Sequence, residues 1–211
     1  MALSADEPKT AAAVDAWLER RIAGSDRFRR VAAEYDGHRR AHGCIDVYPF
    51  ANGPLLGALA ARAGKMIEVG SGLGYSGLWL AHGAGPDGRL ETVERDRSHA
   101  GIARGHFEAE GLGRRVQILE GTGAAVLPGL AGGYDLAYFD TDPAESLTDL
   151  VQFERLLRPG GLLISTNLFL GQFAPDLPGL EQAAEYRERI LDAGRWLTAY
   201  LADGTALSIR Q

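Results

Sequence analysis

Between residues 66 and 77 the chain reads Met66-Ile67-Glu68-Val69-Gly70-Ser71-Gly72-Leu73-Gly74-Tyr75-Ser76-Gly77, a short apolar run followed by four glycines in eight residues. A helical pattern starts within its last residues, at residue 75. Glycines at such a turn let backbone amides approach a bound group, and the N-terminus of the following helix favours an anionic one. A strand that feeds a helix through so tight a turn opens a βαβ unit. The chain is thereby directed to a parallel sheet covered on both faces.

The rest of the sequence keeps that rhythm. Strand-like runs lie at 66–69, 90–94, 116–119, 135–139 and 161–165, alternating with helical patterns at 75–82, 98–110, 147–157 and 181–193. Gly111 closes the second of these helices, and Pro159-Gly160 stops the third. Two last strand-like runs, 196–201 and 206–209, are joined by Ala202-Asp203-Gly204-Thr205 and predict an antiparallel hairpin at one edge. Ahead of the glycine turn, residues 11–40 are helical, with Val14, Leu18 and Ile22 on one face and Phe28, Val31, Ala32 and Tyr35 on another. Gly24-Ser25-Asp26 separates the two, with Ser25 or Asp26 as an N-cap. Pro54 opens a further helix through Leu55, Leu56, Leu59 and Ala60, ended by Gly64. Residues 1–10 read as a loose tail. With 211 residues the expectation is one domain, a helical extension over 1–44 and an α/β core over 45–211.

Charge excludes several classes of function. The net charge of −6 argues against gripping nucleic acid by its phosphates and against an anionic membrane surface. No apolar run approaches the ~18 residues of a membrane span. The first residues carry acids and no apolar core, unlike a secretory leader. Cys44 is the only cysteine, so no internal disulfide forms, which fits a cytoplasmic protein.

Two ligands compete for the turn. Gly72-Leu73-Gly74-Tyr75-Ser76-Gly77 matches the dinucleotide pattern G-x-G-x-x-G, which suits an NAD-dependent oxidoreductase. Glu68-x-Gly70-x-Gly72-x-Gly74 instead resembles motif I of S-adenosylmethionine (SAM) methyltransferases. A carboxylate at position 68 welcomes the cationic amino group of SAM and repels a pyrophosphate. Glu94 ends the second strand, where an acid accepts ribose hydroxyls from either ligand.

The resemblance extends through Glu94-Arg95-Asp96, Glu120-Gly121-Thr122-Gly123, the stretch 134–142, Leu157-Arg158-Pro159-Gly160-Gly161 and Thr166-Asn167. From about Ile45 to the end, the chain resembles the small-molecule O-methyltransferase family that includes the caffeoyl-CoA and catechol enzymes. That resemblance implies a Rossmann-like methyltransferase fold, a mostly parallel twisted sheet with an antiparallel C-terminal hairpin and N-terminal helices. It implies SAM, or its product S-adenosylhomocysteine (SAH), as cofactor, a small-molecule methyl acceptor and a homodimer. By the same resemblance Val47 packs on the cofactor and Glu68 sits near the methionine amino group. Gly70 and Gly72 bring the backbone close, and Ser76 bonds the methionine carboxylate. Glu94 holds the ribose, Thr122 and Gly123 border the adenine, and Asp140 faces both cofactor and acceptor.

The chain departs from the family at its metal site. The family's Asp-Ala-Asp-Lys reads Asp140-Thr141-Asp142-Pro143, and its Asp-Asn pair reads Thr166-Asn167. One carboxylate ligand is a threonine and the catalytic lysine is a proline, so no residue is assigned to a metal, although Asp142 offers a replacement carboxylate. Lys9 and Lys65 are the only lysines, the first in the tail and the second at the amino end of the first strand. The base is then His42, Asp140, Asp142 or solvent, with Asn167 as a positioning amide. His38 and His42 are one helical turn apart and read as surface residues; His82, His99 and His106 receive no role. Tyr48, Phe50, Phe169 and Phe173 either clamp a flat acceptor or belong to core or dimer packing. A SAM-binding protein without chemistry remains the non-enzymatic alternative.

Overall fold

The computed structural model describes residues 10–43, 47–172 and 174–211. Its strands are β1 (Lys65–Val69), β2 (Arg89–Glu94), β3 (Val116–Glu120), β4 (Tyr134–Phe139), β5 (Leu157–Ser165), β6 (Trp196–Tyr200) and β7 (Ala206–Arg210). They form one sheet in the order β3-β2-β1-β4-β5-β7-β6, parallel from β3 to β5 and antiparallel at β7 and β6. The Rossmann-like architecture read from the sequence is borne out. Strand β1 lies between β2 and β4, so successive crossovers leave it in opposite directions. The carboxyl ends of β1 and β4 therefore flank the crevice where open α/β sheets bind ligands.

Helices α1 (Ala11–Ser25), α2 (Arg29–His42) and α3 (Gly53–Ala60) precede the sheet. Helices α4 (Tyr75–Gly83), α5 (Arg97–Ala109), α6 (Gly123–Val126), α7 (Ser146–Leu156) and α8 (Leu180–Ile190) follow its strands. Side chains alternate along each strand, so Met66 enters the core on one face of β1 while Ile67 and Val69 enter the core on the other. The first core joins Leu56, Leu78, Leu90 and Tyr138 to Phe28, Val31 and Tyr35. The second gathers Phe139, Phe153, Tyr186 and Trp196 under α7 and α8. Each such fully buried side chain contributes about 1.5–3 kcal/mol.

Several boundaries differ from the sequence reading. Strand β5 begins at Leu157, which pairs with Tyr134, and a register shift opposite Pro159-Gly160 carries the ladder on to Leu162. The preceding helix thus ends at Leu156. Helix α3 stops at Ala60, before Gly64, whose N–H donates to Asp135 Oδ2 at 2.7 Å. Asp26 is not the N-cap of α2. It accepts the N–H of Phe28 at 2.8 Å with one oxygen and the hydroxyl of Tyr75 at 2.8 Å with the other. Helix α6 was not expected; the Thr122 side chain caps it by accepting the N–H of Ala125.

The second apolar face of the N-terminal segment, Phe28, Val31 and Tyr35, is consumed within the chain's own core. On α1, Val14 and Leu18 remain 37% and 44% exposed. Among the described residues no helix is long and apolar enough to cross a membrane. The expectations placed on residues 1–9, Cys44, Ile45 and Phe173 lie outside the described residues.

Candidate active site

A cavity of about 770 Å³ opens at the carboxyl ends of β1 to β5, lined by Val47, Gly70, Gly72, Ser76, Glu94, Thr122, Gly123, Asp140 and Asn167 among others. The turn after β1 supplies its floor. Gly70 has φ +97°, and a Cβ there would fall 2.0 Å from the carbonyl oxygen of Asp140, so this position tolerates only glycine. The N–H groups of Gly70 and Ser71 both donate to the carbonyl of Val93, at 3.0 and 3.2 Å, which locks the turn to the end of β2.

Glu94 follows directly in the chain. Its Oε2 accepts the N–H of Gly72 at 2.7 Å and its Oε1 accepts that of Asp96 at 2.9 Å. His99 Nδ1 lies 3.9 Å from the same Oε1. Burial pushes the Glu94 carboxyl above its ordinary range against the lowering effect of the two N–H donors. Each oxygen keeps a further lone pair for a hydroxyl in the cavity.

Glu68 does not reach the cavity wall. It is fully buried behind the turn, where it accepts the hydroxyls of Ser76 and, at 2.6 Å, Thr92. Burial is the largest influence on its carboxyl, which is pushed up to about 7. Ser76 does line the cavity, but its hydroxyl proton is given to Glu68, so its backbone N–H is what it can offer a carboxylate.

At the end of β4, Asp140 is held by three donors of its own chain. Oδ1 accepts from Thr166 Oγ1 at 2.9 Å and from Asn167 Nδ2 at 2.5 Å, and Oδ2 accepts from the Tyr138 hydroxyl at 3.1 Å. Asn167 holds its side chain there from a left-handed backbone, φ +60°, which asparagine tolerates better than most residues. Burial pushes the Asp140 carboxyl up, opposed by these three donors.

This set does not suit a hard divalent cation. It offers one carboxylate, and that carboxylate is engaged by a hydroxyl and an amide nitrogen rather than flanked by further anionic oxygens. Asp142 is turned to Arg95, 2.9 Å away, with Glu145 3.7 Å from the same guanidinium. Among the described residues no three His, Cys, Asp or Glu side chains are arranged to hold a metal ion.

Of the remaining sequence candidates, His42 is exposed at the end of α2 and does not line the cavity; its ring lies 4.5 Å from that of His38. His38 is not a plain surface residue, because its Nε2 lies 3.0 Å from Nε2 of His99. Lys65 sits at the far end of β1, bonding the carbonyl of Ala131 at 3.2 Å. Tyr48, Phe50 and Phe169 line the cavity, with the Arg39 guanidinium 4.1 Å over the Tyr48 ring.

Tyr35, Ser71 and His99 also line it, and sequence reasoning gave them no role there. It likewise missed Asp149, whose buried carboxylate has no hydrogen-bond partner among the described residues and packs where a Cβ of Gly123 would stand, 2.4 Å away. Asp149 lies on the stripe Ser146, Leu150, Phe153, Leu156 that α7 turns inward, and a carboxylate on a largely apolar stripe is a legible signal.

Comparison with known proteins follows the same residues. Residues 67–167 match the family described as a methyltransferase domain. The chain is similar to catechol O-methyltransferase of Mycobacterium tuberculosis, 37% identical over 118 residues, a match covering 56% of this chain and 53% of that enzyme. The chain thus spans about half the length of this curated relative. Among solved structures it is similar to the cofactor-bound Rv0187 from MTB, with 27% identity, TM-score 0.77, and coverage of 97% of this chain and 99% of that one. It is also similar to the O-methyltransferase TomG from Streptomyces achromogenes, involved in tomaymycin synthesis and solved with SAM, with 25% identity, TM-score 0.75, and coverage of 94% and 96%. The O-methyltransferase resemblance read from the sequence is borne out, and the dinucleotide reading of the turn is not favoured.

Proposed function

We propose that the chain is a SAM-dependent O-methyltransferase acting on a small molecule without a bound divalent metal. The observation that carries this reading is the meeting of three features in one cavity: the glycine turn, the Glu94 carboxylate and the Asp140 carboxylate. The cofactor supplies an electrophilic methyl group on a sulfonium. Glu94, held by two backbone N–H groups, presents its free lone pairs to the ribose hydroxyls. Gly70 and Gly72 allow close backbone approach, Val47 packs on the cofactor, and Thr122 and Gly123 border the adenine.

Asp140 takes the acceptor's proton on the free lone pair of Oδ2, and its raised basicity favours that step. Thr166 and Asn167 hold the carboxylate in one orientation, and Tyr48, Phe50 and Phe169 supply an apolar wall for a flat acceptor. Orientation of this kind supplies up to ~7–11 kcal/mol of a transfer barrier. The reading treats residues 1–211 as one methyltransferase domain, cytoplasmic, with homodimerisation through the exposed Val14 and Leu18 face of α1; light scattering at micromolar concentration tests the last point. Transfer of label from methyl-tritiated SAM to a panel of phenols and amines in the presence of EDTA tests the activity. Labelling of a phenol supports O-methylation, labelling of amines alone overturns it, and a chain that binds SAM yet labels nothing is a binding protein.

A further inference from the structure

Tyr35 stands at the meeting point of the N-terminal helices and the glycine turn. Its ring is 2% exposed and it lines the cavity from α2. Its phenolic oxygen accepts two backbone N–H groups at the start of α4, from Leu73 at 3.0 Å and Tyr75 at 3.3 Å. A Cβ placed on Gly72 would lie 3.3 Å from that oxygen and 3.5 Å from Val47 Cγ1, so the hydroxyl, the turn and Val47 share one corner.

A phenol that accepts two N–H bonds still has its own proton to give. Among the described residues that proton meets no acceptor, although buried hydroxyls are almost always paired. Burial holds the group protonated, since it raises the phenol well above its ordinary range. Two N–H donors on the oxygen also polarise the O–H bond and strengthen it as a donor. The donors left at this corner are the first turn of α4 and one hydroxyl proton, with the Glu94 carboxylate beside them held on the N–H of Gly72. The complement of those donors is an anion, and SAM and SAH each carry a single anionic group, the methionine carboxylate. The Ser76 hydroxyl does not compete for it, because its proton goes to Glu68.

We propose that Tyr35 is a cofactor-binding residue whose hydroxyl donates to the methionine carboxylate and links it to the N-terminus of α4. The inference rests on the SAM reading above and gives helix α2 a part in the site that its place in the sequence does not suggest.

Calorimetry with two ligands on the wild type and on Tyr35→Phe tests it. SAH carries the carboxylate; 5′-methylthioadenosine keeps the adenosine and thioether and lacks the amino-acid portion. The phenylalanine variant should weaken SAH about tenfold or more and leave 5′-methylthioadenosine nearly unchanged. Equal weakening of both ligands, or unchanged SAH affinity, overturns the inference, since Tyr35 then only braces the turn. If the wild type binds neither ligand, the SAM reading itself falls and takes this one with it. Should the variant fail to fold, a crystal structure of the wild type with SAH decides: a phenolic oxygen within about 2.5–3.2 Å of a carboxylate oxygen supports the assignment, and a longer separation rejects it.

Discussion

The hydroxyl of Thr166 donates to Oδ1 of Asp140 across 2.9 Å, at the position where the family resemblance implies a second carboxylate. A hydrogen bond thus occupies an oxygen that a cation would otherwise share with a second anion. Turnover should therefore be unchanged by EDTA. Thr166→Asp sets two carboxylates side by side and should create magnesium affinity that titration calorimetry detects and the wild type lacks. Full loss of wild-type turnover on chelation, restored by magnesium, contradicts this account of the site.

Glu94 serves both the turn and the proposed ribose contact. Glu94→Ala leaves the N–H groups of Gly72 and Asp96 without their acceptor and removes the hydroxyl partner. SAH affinity should fall about ten- to a hundredfold, which is roughly 1.4–2.7 kcal/mol. Unchanged affinity by calorimetry would mean that the ribose does not lie at the end of β2.

Glu68 makes stability depend on pH. Its carboxyl is raised from 4.5 to about 7, so the folded chain holds this proton more tightly than the unfolded chain does. The contribution is present below the unfolded value and is lost as pH rises through the folded one. Asp149, also pushed up to about 7 by burial, acts in the same direction. The melting temperature should fall between about pH 5 and about pH 8, and Glu68→Gln, which mimics the protonated acid, should flatten that slope. Parallel curves for variant and wild type would show that Glu68 does not titrate in this window.

Two glycines in helices should respond to alanine with opposite signs. At Gly83 a Cβ would fall 2.0 Å from the carbonyl of Gly57, where α3 crosses α4. Gly83→Ala should cost about 1–3 kcal/mol by overpacking, read by chemical denaturation. At Gly101, inside α5, nothing lies within 4 Å of the added carbon, so Gly101→Ala should stabilise by about 0.5–1 kcal/mol. Equal effects at both sites would show that the α3–α4 contact is looser than described.

The sheet was legible because local rules and long-range packing agree there. The strand at 66–69, the glycine turn and the helix from Tyr75 need no distant partner to be recognised. Position along the chain also placed Glu94 and Asp140 at strand ends, which brings both to the cavity. What stayed hidden depends on which side of the turn a side chain approaches. Glu68 and Ser76 are eight residues apart, and nothing in the sequence says that they bond each other behind the turn rather than reach into the cavity. Tyr35 reads as an ordinary buried aromatic of an amphipathic helix, and only the packing of α2 against α4 and α5 shows its hydroxyl on the backbone of Leu73. His38 and His99 are 61 residues apart, so their contact has no local signal either. Asp149 is the exception, since its place on an inward helical stripe was open to reading.

This cavity is expected to take SAM or SAH and not a dinucleotide. Titration calorimetry of the purified wild-type chain with SAH and, separately, with NAD tests it most directly. Saturable one-to-one binding of SAH and no binding of NAD are expected. Saturable binding of NAD with none of SAH would contradict it.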